Sequence, residues 1–231
     1  MPSSLSRRAA SEFLGVFALV AVASASVVVS ADIGLLGVAL AQGLILAAMI
    51  AGLMRISGAH FNPAVTLGLL VTRRIAPGPA VVYWLAQLAG AIAAALLVEL
   101  LYPSRFDRVL ESSVPAINDG TGFGVGAALV LEVLLTFFLV WVVFAVAVDP
   151  RRTAGAAAGF AIGLVVTADI LVGGPITGAA MNPARAFGPQ LVFGVWDDAW
   201  IYYAGPFLGG LVAALLYTWL MVRGDPEPAA A

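Results

Sequence analysis

Two stretches hold the residues able to do chemistry: Ser57-Gly-Ala-His-Phe-Asn-Pro-Ala-Val-Thr-Leu-Gly68 and Thr177-Gly-Ala-Ala-Met-Asn-Pro-Ala-Arg-Ala-Phe-Gly188. In each, an Asn (Asn62, Asn182) precedes Pro63 or Pro183, and Ala64 or Ala184 follows. Proline at the first helical position opens a helix, so both stretches are helix starts. The first N–H groups of such a helix lack intrahelical partners and carry about half an elementary positive charge. Two such starts with Asn amides beside them would polarise a neutral dipole and repel a cation. Bond-making chemistry has no comparable support. Cysteine is absent and His60 is the single histidine, which removes thiolate and multi-histidine metal sites and Cys nucleophiles. No nucleophile–base–orienter set stands out, and no cofactor is implied.

The elements that position these stretches follow from composition. Of 231 residues, 62% are hydrophobic and 10% charged, with a mean hydropathy of +1.04. A soluble fold needs a polar coat that this chain cannot supply, so it is an all-α protein embedded in a lipid bilayer. A net charge of −2 gives no reason to expect nucleic acid. Apolar runs long enough to span, at roughly 20 residues each, fall near 10–30, 34–54, 79–101, 124–148, 154–173 and 200–222. The Asn-Pro-Ala stretches lie after the second and fifth runs and are too short to span. Arg7-Arg8, the following apolar run and Ala23-Ser24-Ala25 imitate a cleavable leader, but the repeat requires that segment in the mature chain.

That repeat has one offset, 120 residues (62 to 182), shared by Gly58/Gly178, Ala59/Ala179, Gly68/Gly188, Glu12/Glu132, Tyr83/Tyr203 and Gly90/Gly210. Three spans per copy is an odd number, so the second copy enters the bilayer from the opposite side. The expected architecture is six transmembrane helices plus two re-entrant half-helices in an inverted repeat. Residues 1–110 form the first copy, with a half-helix at 63–71, and 111–231 the second, with one at 183–192. The half-helices should meet at the bilayer midplane. Arg7, Arg8, Arg55, Arg73, Arg74, Arg151, Arg152 and Arg223 fall on one side, against Arg105 and Arg108 on the other, which places both termini in the cytoplasm. The 102–122 connection is then an external loop, and the tail from Gly224 is expected to be mobile.

Gly58-Ala59-His60 and Gly178-Ala179-Ala180 cannot be helical if helices start at the prolines. Non-helical backbone at membrane depth must line a cavity or be buried in protein. Their carbonyls are therefore expected to form an acceptor ladder along one pore wall, opposite apolar helix faces. A water between Asn62 and Asn182 would accept from both amides and point its hydrogens outward, breaking a proton wire. Glu12 and Glu132 are buried acids expected to satisfy the backbone of the re-entrant loops. Arg185, charged within the embedded half, is expected to face the pore. His60 reads as a packed or capping residue. Gly205, Gly209, Gly210, Gly155, Gly159 and Gly163 read as helix-packing positions. Trp84, Trp141, Trp196, Trp200 and Trp219 read mostly as an interfacial belt.

Paired Asn-Pro-Ala motifs at this offset, the second continuing into Arg185, together with Glu12 and Glu132, resemble the aquaporin (major intrinsic protein) family over essentially the whole chain. The resemblance implies a homotetramer of independently conducting monomers that pass water and small neutral solutes. It also implies a four-residue outer filter, which spacing to the motifs carries onto Gln42, Ile170, Ala179 and Arg185. The water-selective pattern of the family has Phe and His where Gln42 and Ile170 stand. Ile-Ala-Arg, with Gly173-Gly174-Pro175 nearby, is more similar to plant vacuolar-membrane channels and some archaeal ones, whose relatives also pass ammonia, urea or peroxide. Glycerol facilitators carry an Asp where Ala186 stands and a basic residue where Gln190 stands, and Tyr202-Tyr203 departs from the aromatic-Trp pair of water channels. Ammonia, urea, peroxide or glycerol conduction is the alternative. A secondary transporter would need an ion site in place of neutral amides. Asp169 is expected to bond to the outer loops or to pair with Arg185. The arginine-only, cysteine-free composition suggests a prokaryotic plasma membrane.

Overall fold

The computed structural model describes residues 3–102, 110–151 and 155–222. Arg105, Arg108, Arg152, Arg223, the tail from Gly224 and part of the 102–122 connection lie outside the described residues.

Among the described residues, six helices are long and apolar enough to cross a bilayer: α1 (Leu5–Val28), α2 (Ser30–Ser57), α4 (Pro77–Leu101), α5 (Val125–Val148), α6 (Ala158–Thr177) and α8 (Ile201–Val222). The short α3 (Pro63–Val71) and α7 (Pro183–Phe193) lie between them. Composition and motif spacing therefore translate into six spans and two half-spans in the expected order. Most bounds shift by a few residues from the expectation, and two elements show why. The second half-helix runs to Phe193 and is closed by Gly194 in the left-handed conformation. The fifth span begins at Ala158 and continues through Pro175 to Thr177. A proline near the end of a helix removes one hydrogen bond without breaking the turns before it.

Helix pairing repeats across the two halves. α1 packs on α4 as α5 packs on α8, while α3 packs on α8 and α7 on α4, so each half-helix is seated against the other half's last span. Small residues permit these approaches. A Cβ on Gly159 would lie 2.7 Å from the Ala47 carbonyl oxygen, and one on Gly163 2.4 Å from that of Gly43. Gly205 and Gly209 pack as tightly on α5, against Glu132 and Val133, and Gly210 meets Ala64. Gly155 departs from this reading, because a Cβ there would meet nothing within 4 Å and its φ is +48°. It shapes a turn before α6 and packs no helix.

Trp196, Trp200 and Trp219 are exposed, as a place in an interfacial belt requires. Trp84 instead donates to the Pro63 carbonyl at 3.1 Å, and Trp141 packs between Phe137 and Tyr217. Just beyond α5, Asp149 accepts from Arg151 Nη2 at 2.7 Å and from the Tyr217 hydroxyl at 2.9 Å. Arg151 also donates to the Met221 carbonyl, closing a clip between the ends of α5 and α8. The Arg151 hydrogen bonds hold the Asp149 carboxyl well below its ordinary range. A depressed folded-state pKa stabilises above the unfolded value, about 3.9, and the contribution is lost as pH falls below it. Asp149→Asn should lower the melting temperature at pH 7, and the gap to the parent should close on acidification below about pH 4. Thermal unfolding across that range measures it; a constant gap would assign the effect to packing.

Candidate functional site

The loops that lead into α3 and α7 are built alike. Gly58 and Gly178 end α2 and α6 in the left-handed conformation, with φ of +90° and +78°. Ala59, Phe61, Ala179 and Met181 also have positive φ, at 51°, 48°, 45° and 52°. For residues with a Cβ this costs roughly 1–2 kcal/mol each, so the surroundings must impose it.

Glu12 and Glu132 do so. Glu12 Oε1 accepts from Ser57 Oγ at 2.6 Å and from the His60 N–H at 3.0 Å, and Oε2 from the Phe61 N–H at 2.7 Å. Glu132 Oε1 accepts from Thr177 Oγ1 at 2.6 Å and from the Ala180 N–H at 3.0 Å, and Oε2 from the Met181 N–H at 2.9 Å. Ser57 Oγ and Thr177 Oγ1 in turn accept from the Ala59 and Ala179 N–H groups. In a planar trans peptide the C=O points opposite to the N–H that follows it. Holding these N–H groups toward the carboxylates and hydroxyls turns the carbonyls of Gly58, Ala59, His60, Gly178, Ala179 and Ala180 the other way.

At the helix starts the two halves lock together. Asn62 Oδ1 caps α3 by accepting from the Ala64 N–H at 2.8 Å, and Asn182 Oδ1 caps α7 by accepting from Ala184 and Arg185 at 3.0 and 3.3 Å. The amide nitrogens cross over: Asn62 Nδ2 donates to the Met181 carbonyl at 2.9 Å, and Asn182 Nδ2 to the Phe61 carbonyl at 2.8 Å. Each NH₂ has a second hydrogen, left to face what lies between them. Sequence reasoning assigned both amides to a passing dipole and missed this crossed clamp.

A cavity of about 40 Å³ lies there, room for one or two waters. Asn62, Asn182, Arg185 and residues 59–61 and 179–181 line it on the polar side, with Leu19, Leu46, Ile50, Leu139, Val143, Ile162 and Val166 among its apolar lining. A wider cavity of about 260 Å³ shares Gln42 and Arg185 with it and adds Ile170, Gly178 and Pro115. A third, about 250 Å³, shares Ala59, His60, Val65, Val143 and Ile162 and adds Gly58, Met54 and Arg74. Three cavities joined by shared walls form an hourglass, with the Asn pair at its waist. Gln42, Ile170, Ala179 and Arg185 stand where the waist meets one vestibule, each with 6% or less of its surface exposed.

His60 packs: Nδ1 lies 3.1 Å from Thr66 Oγ1, and the ring meets Tyr83 edge-on at 4.8 Å. Among the described residues Asp169 does neither thing expected of it. It is buried, its Oδ2 has no hydrogen-bond partner, and among the described residues it makes no ion pair with Arg185. Its place in α6, one residue before Ile170, turns it about 100° from the pore wall. Asp169→Asn should raise thermal stability, because it removes a buried unpartnered carboxyl, and leave solute flux unchanged; a changed flux ratio would give Asp169 a part in the pore.

Gln87 was missed. Its Nε2 bridges Glu12 Oε2 at 2.8 Å and Thr66 Oγ1 at 3.1 Å. Tyr83 donates to the Ser57 carbonyl at 2.6 Å. The available signal was two polar residues four apart in an apolar span, which places them on one face.

A re-entrant pair of half-helices, each capped by its own Asn and clamped to the other's loop across a chain of cavities, defines a membrane channel of inverted design. The major intrinsic protein family model matches residues 2–217, and the chain belongs to that family. It is 46% identical over 197 residues to "Aquaporin TIP4-4" of Zea mays, covering 85% of this chain and 76% of that one. It is 48% identical over 200 residues to "Probable aquaporin TIP3-2" of Oryza sativa subsp. japonica, covering 86% and 72%. In fold it matches the X-ray structure of the aquaglyceroporin from Plasmodium falciparum, with a TM-score of 0.85 and 24% identity over 95% of this chain and 98% of that one.

Proposed function

We propose that this chain is a passive water channel that also admits small neutral solutes and turns away protons and ions. The observation that carries it is the pair of helix N-termini held nose to nose by Asn62 and Asn182 at the smallest of the three cavities. Two half-charges of the same sign create a positive collar that repels cations. A water there accepts the free Asn N–H hydrogens through its oxygen and turns its own hydrogens along the axis in both directions. A continuous donor–acceptor chain for proton relay is thereby interrupted. The carbonyls of Gly58, Ala59, His60, Gly178 and Ala180 offer acceptors on one wall, and the apolar wall opposite keeps any one water from binding deeply.

Gln42, Ile170, Ala179 and Arg185 form the filter, where the guanidinium donates to passing solutes and repels cations. Pro63, Pro183, Ala64 and Ala184 shape the waist, and Glu12 and Glu132 are structural. The chain carries out no catalysis, holds no metal or cofactor, and assembles as a homotetramer of two-repeat subunits, 1–110 and 111–231. Both termini face the cytoplasm. The plant relatives lend no support to the prokaryotic plasma membrane that composition suggests. Conduction of ammonia, urea, peroxide or glycerol is favoured as a second activity by Gln42 and Ile170, neither of which is as bulky as an aromatic ring.

Stopped-flow light scattering of proteoliposomes tests this without an ion gradient. Rapid osmotic shrinkage with no proton leak is the expected result. A requirement for an ion gradient would identify a transporter, and zero water flux would overturn the reading.

A further inference from the structure

Five buried side-chain polar atoms have no hydrogen-bond partner among the described residues, and three of them belong to two neighbours: Arg185 Nε, Arg185 Nη1 and the Tyr202 hydroxyl. Buried guanidinium and phenol groups left unpaired are costly, and protein interiors meet such needs with ordered water. Tyr202 is fully buried on α8. It clusters with Ala186, the residue after Arg185, and with Ala180 of the loop before α7, and it lies within electrostatic range of the guanidinium. It lines none of the three cavities of the hourglass, so it stands behind Arg185 and does not touch what passes.

We propose that Tyr202 is a positioning residue for Arg185, joined to it by one resident, non-permeating water that fixes the guanidinium at the pore wall. A guanidinium N–H donates to the water oxygen, and the water donates to the phenol oxygen. Arg185 is a long side chain with many rotamers, so one face anchored in protein leaves the opposite edge free to meet solutes at a constant width. The inference rests on Arg185 being a filter residue.

The test compares Tyr202→Phe, Tyr203→Phe and Arg185→Val in proteoliposomes, with water and urea flux read by stopped flow and folding by melting temperature. Tyr203→Phe is the packing control, because it loses a hydrogen bond to Gln190 and not one near Arg185. Tyr202→Phe should raise the urea-to-water permeability ratio about fivefold, within the worth of one hydrogen bond to a charged group, while the ratio in Tyr203→Phe stays at the parent value. If Arg185→Val changes the ratio and Tyr202→Phe does not, the positioning role is overturned and the filter stands. If neither changes it, the filter assignment falls and takes the inference with it. An equal shift in Tyr203→Phe assigns the effect to packing and overturns the inference. Should Tyr202→Phe fail to fold, a crystal structure of the native protein resolving ordered water decides: density bridging Tyr202 to Arg185 supports the proposal, and a direct guanidinium–carbonyl bond in its place overturns it.

Discussion

Glu132→Gln is expected to abolish water flux and to lower the melting temperature sharply, with Glu12→Gln the milder of the two. The carboxylate of Glu132 accepts three hydrogen bonds, from Thr177, Ala180 and Met181. Hydrogen bonds to a charged acceptor contribute about 1.5–3 kcal/mol each. Glutamine keeps one acceptor and turns an NH₂ toward an N–H. Loss of one or two of these bonds also removes the support for Ala179 and Met181, whose left-handed conformations cost roughly 1–2 kcal/mol each. Against a typical total stability of about 5–15 kcal/mol, that is enough to release the loop, its carbonyl row and Asn182 together. Glu12 has a fourth donor, Nε2 of Gln87, and among the described residues the Oε1 of Gln87 has no partner. An amide flip of Gln87 would answer a glutamine at position 12, and no such residue answers at 132, since Phe207 occupies the place related to Gln87 by the repeat. Proteoliposome shrinkage and thermal unfolding of the two variants measure the difference. Near-parent behaviour of Glu132→Gln, or equal loss in both, would refute this account of what holds the loops.

That asymmetry marks the boundary of what the residues disclosed on their own. The Asn-Pro-Ala pairs, the six apolar runs and Glu12/Glu132 were legible, because proline position, span length and the cost of burying a charge are local or compositional rules. The crossed Asn clamp was not, since Asn62 to Met181 is a contact across 119 residues and only the folded chain brings it within 2.9 Å. The alternating positive φ at Ala59 and Phe61 was equally hidden, for neither residue favours that conformation and the carboxylate imposes it from another helix. The end of the fifth span was placed at residue 173, yet α6 runs on through Pro175 to Thr177, because the preceding turns are already packed against α2 and α5. Asp169 was given a partner because buried charges usually have one, and among the described residues its Oδ2 has none.

The double change Gln42→Phe with Ile170→His carries the filter assignment. Both residues line the 260 Å³ cavity beside Arg185, and Gln42 also lines the 40 Å³ one, so under the proposed reading both face the opening through which a solute reaches the waist. An aromatic ring in place of Gln42 narrows that opening, and an imidazole in place of Ile170 adds a polar atom that competes for the guanidinium's solute-facing edge. Water, with its small radius and ability to donate and accept in any orientation, still passes a narrowed ring. Urea must shed more of its hydration and finds less width. Urea permeability should fall about tenfold or more, equivalent to ~1.4 kcal/mol of added barrier, while water stays within about twofold of the parent. Stopped-flow measurements on the same proteoliposome preparation give both numbers. Equal losses for water and urea would place the size-discriminating constriction elsewhere, at the Asn62–Asn182 waist, and remove Gln42 and Ile170 from the filter.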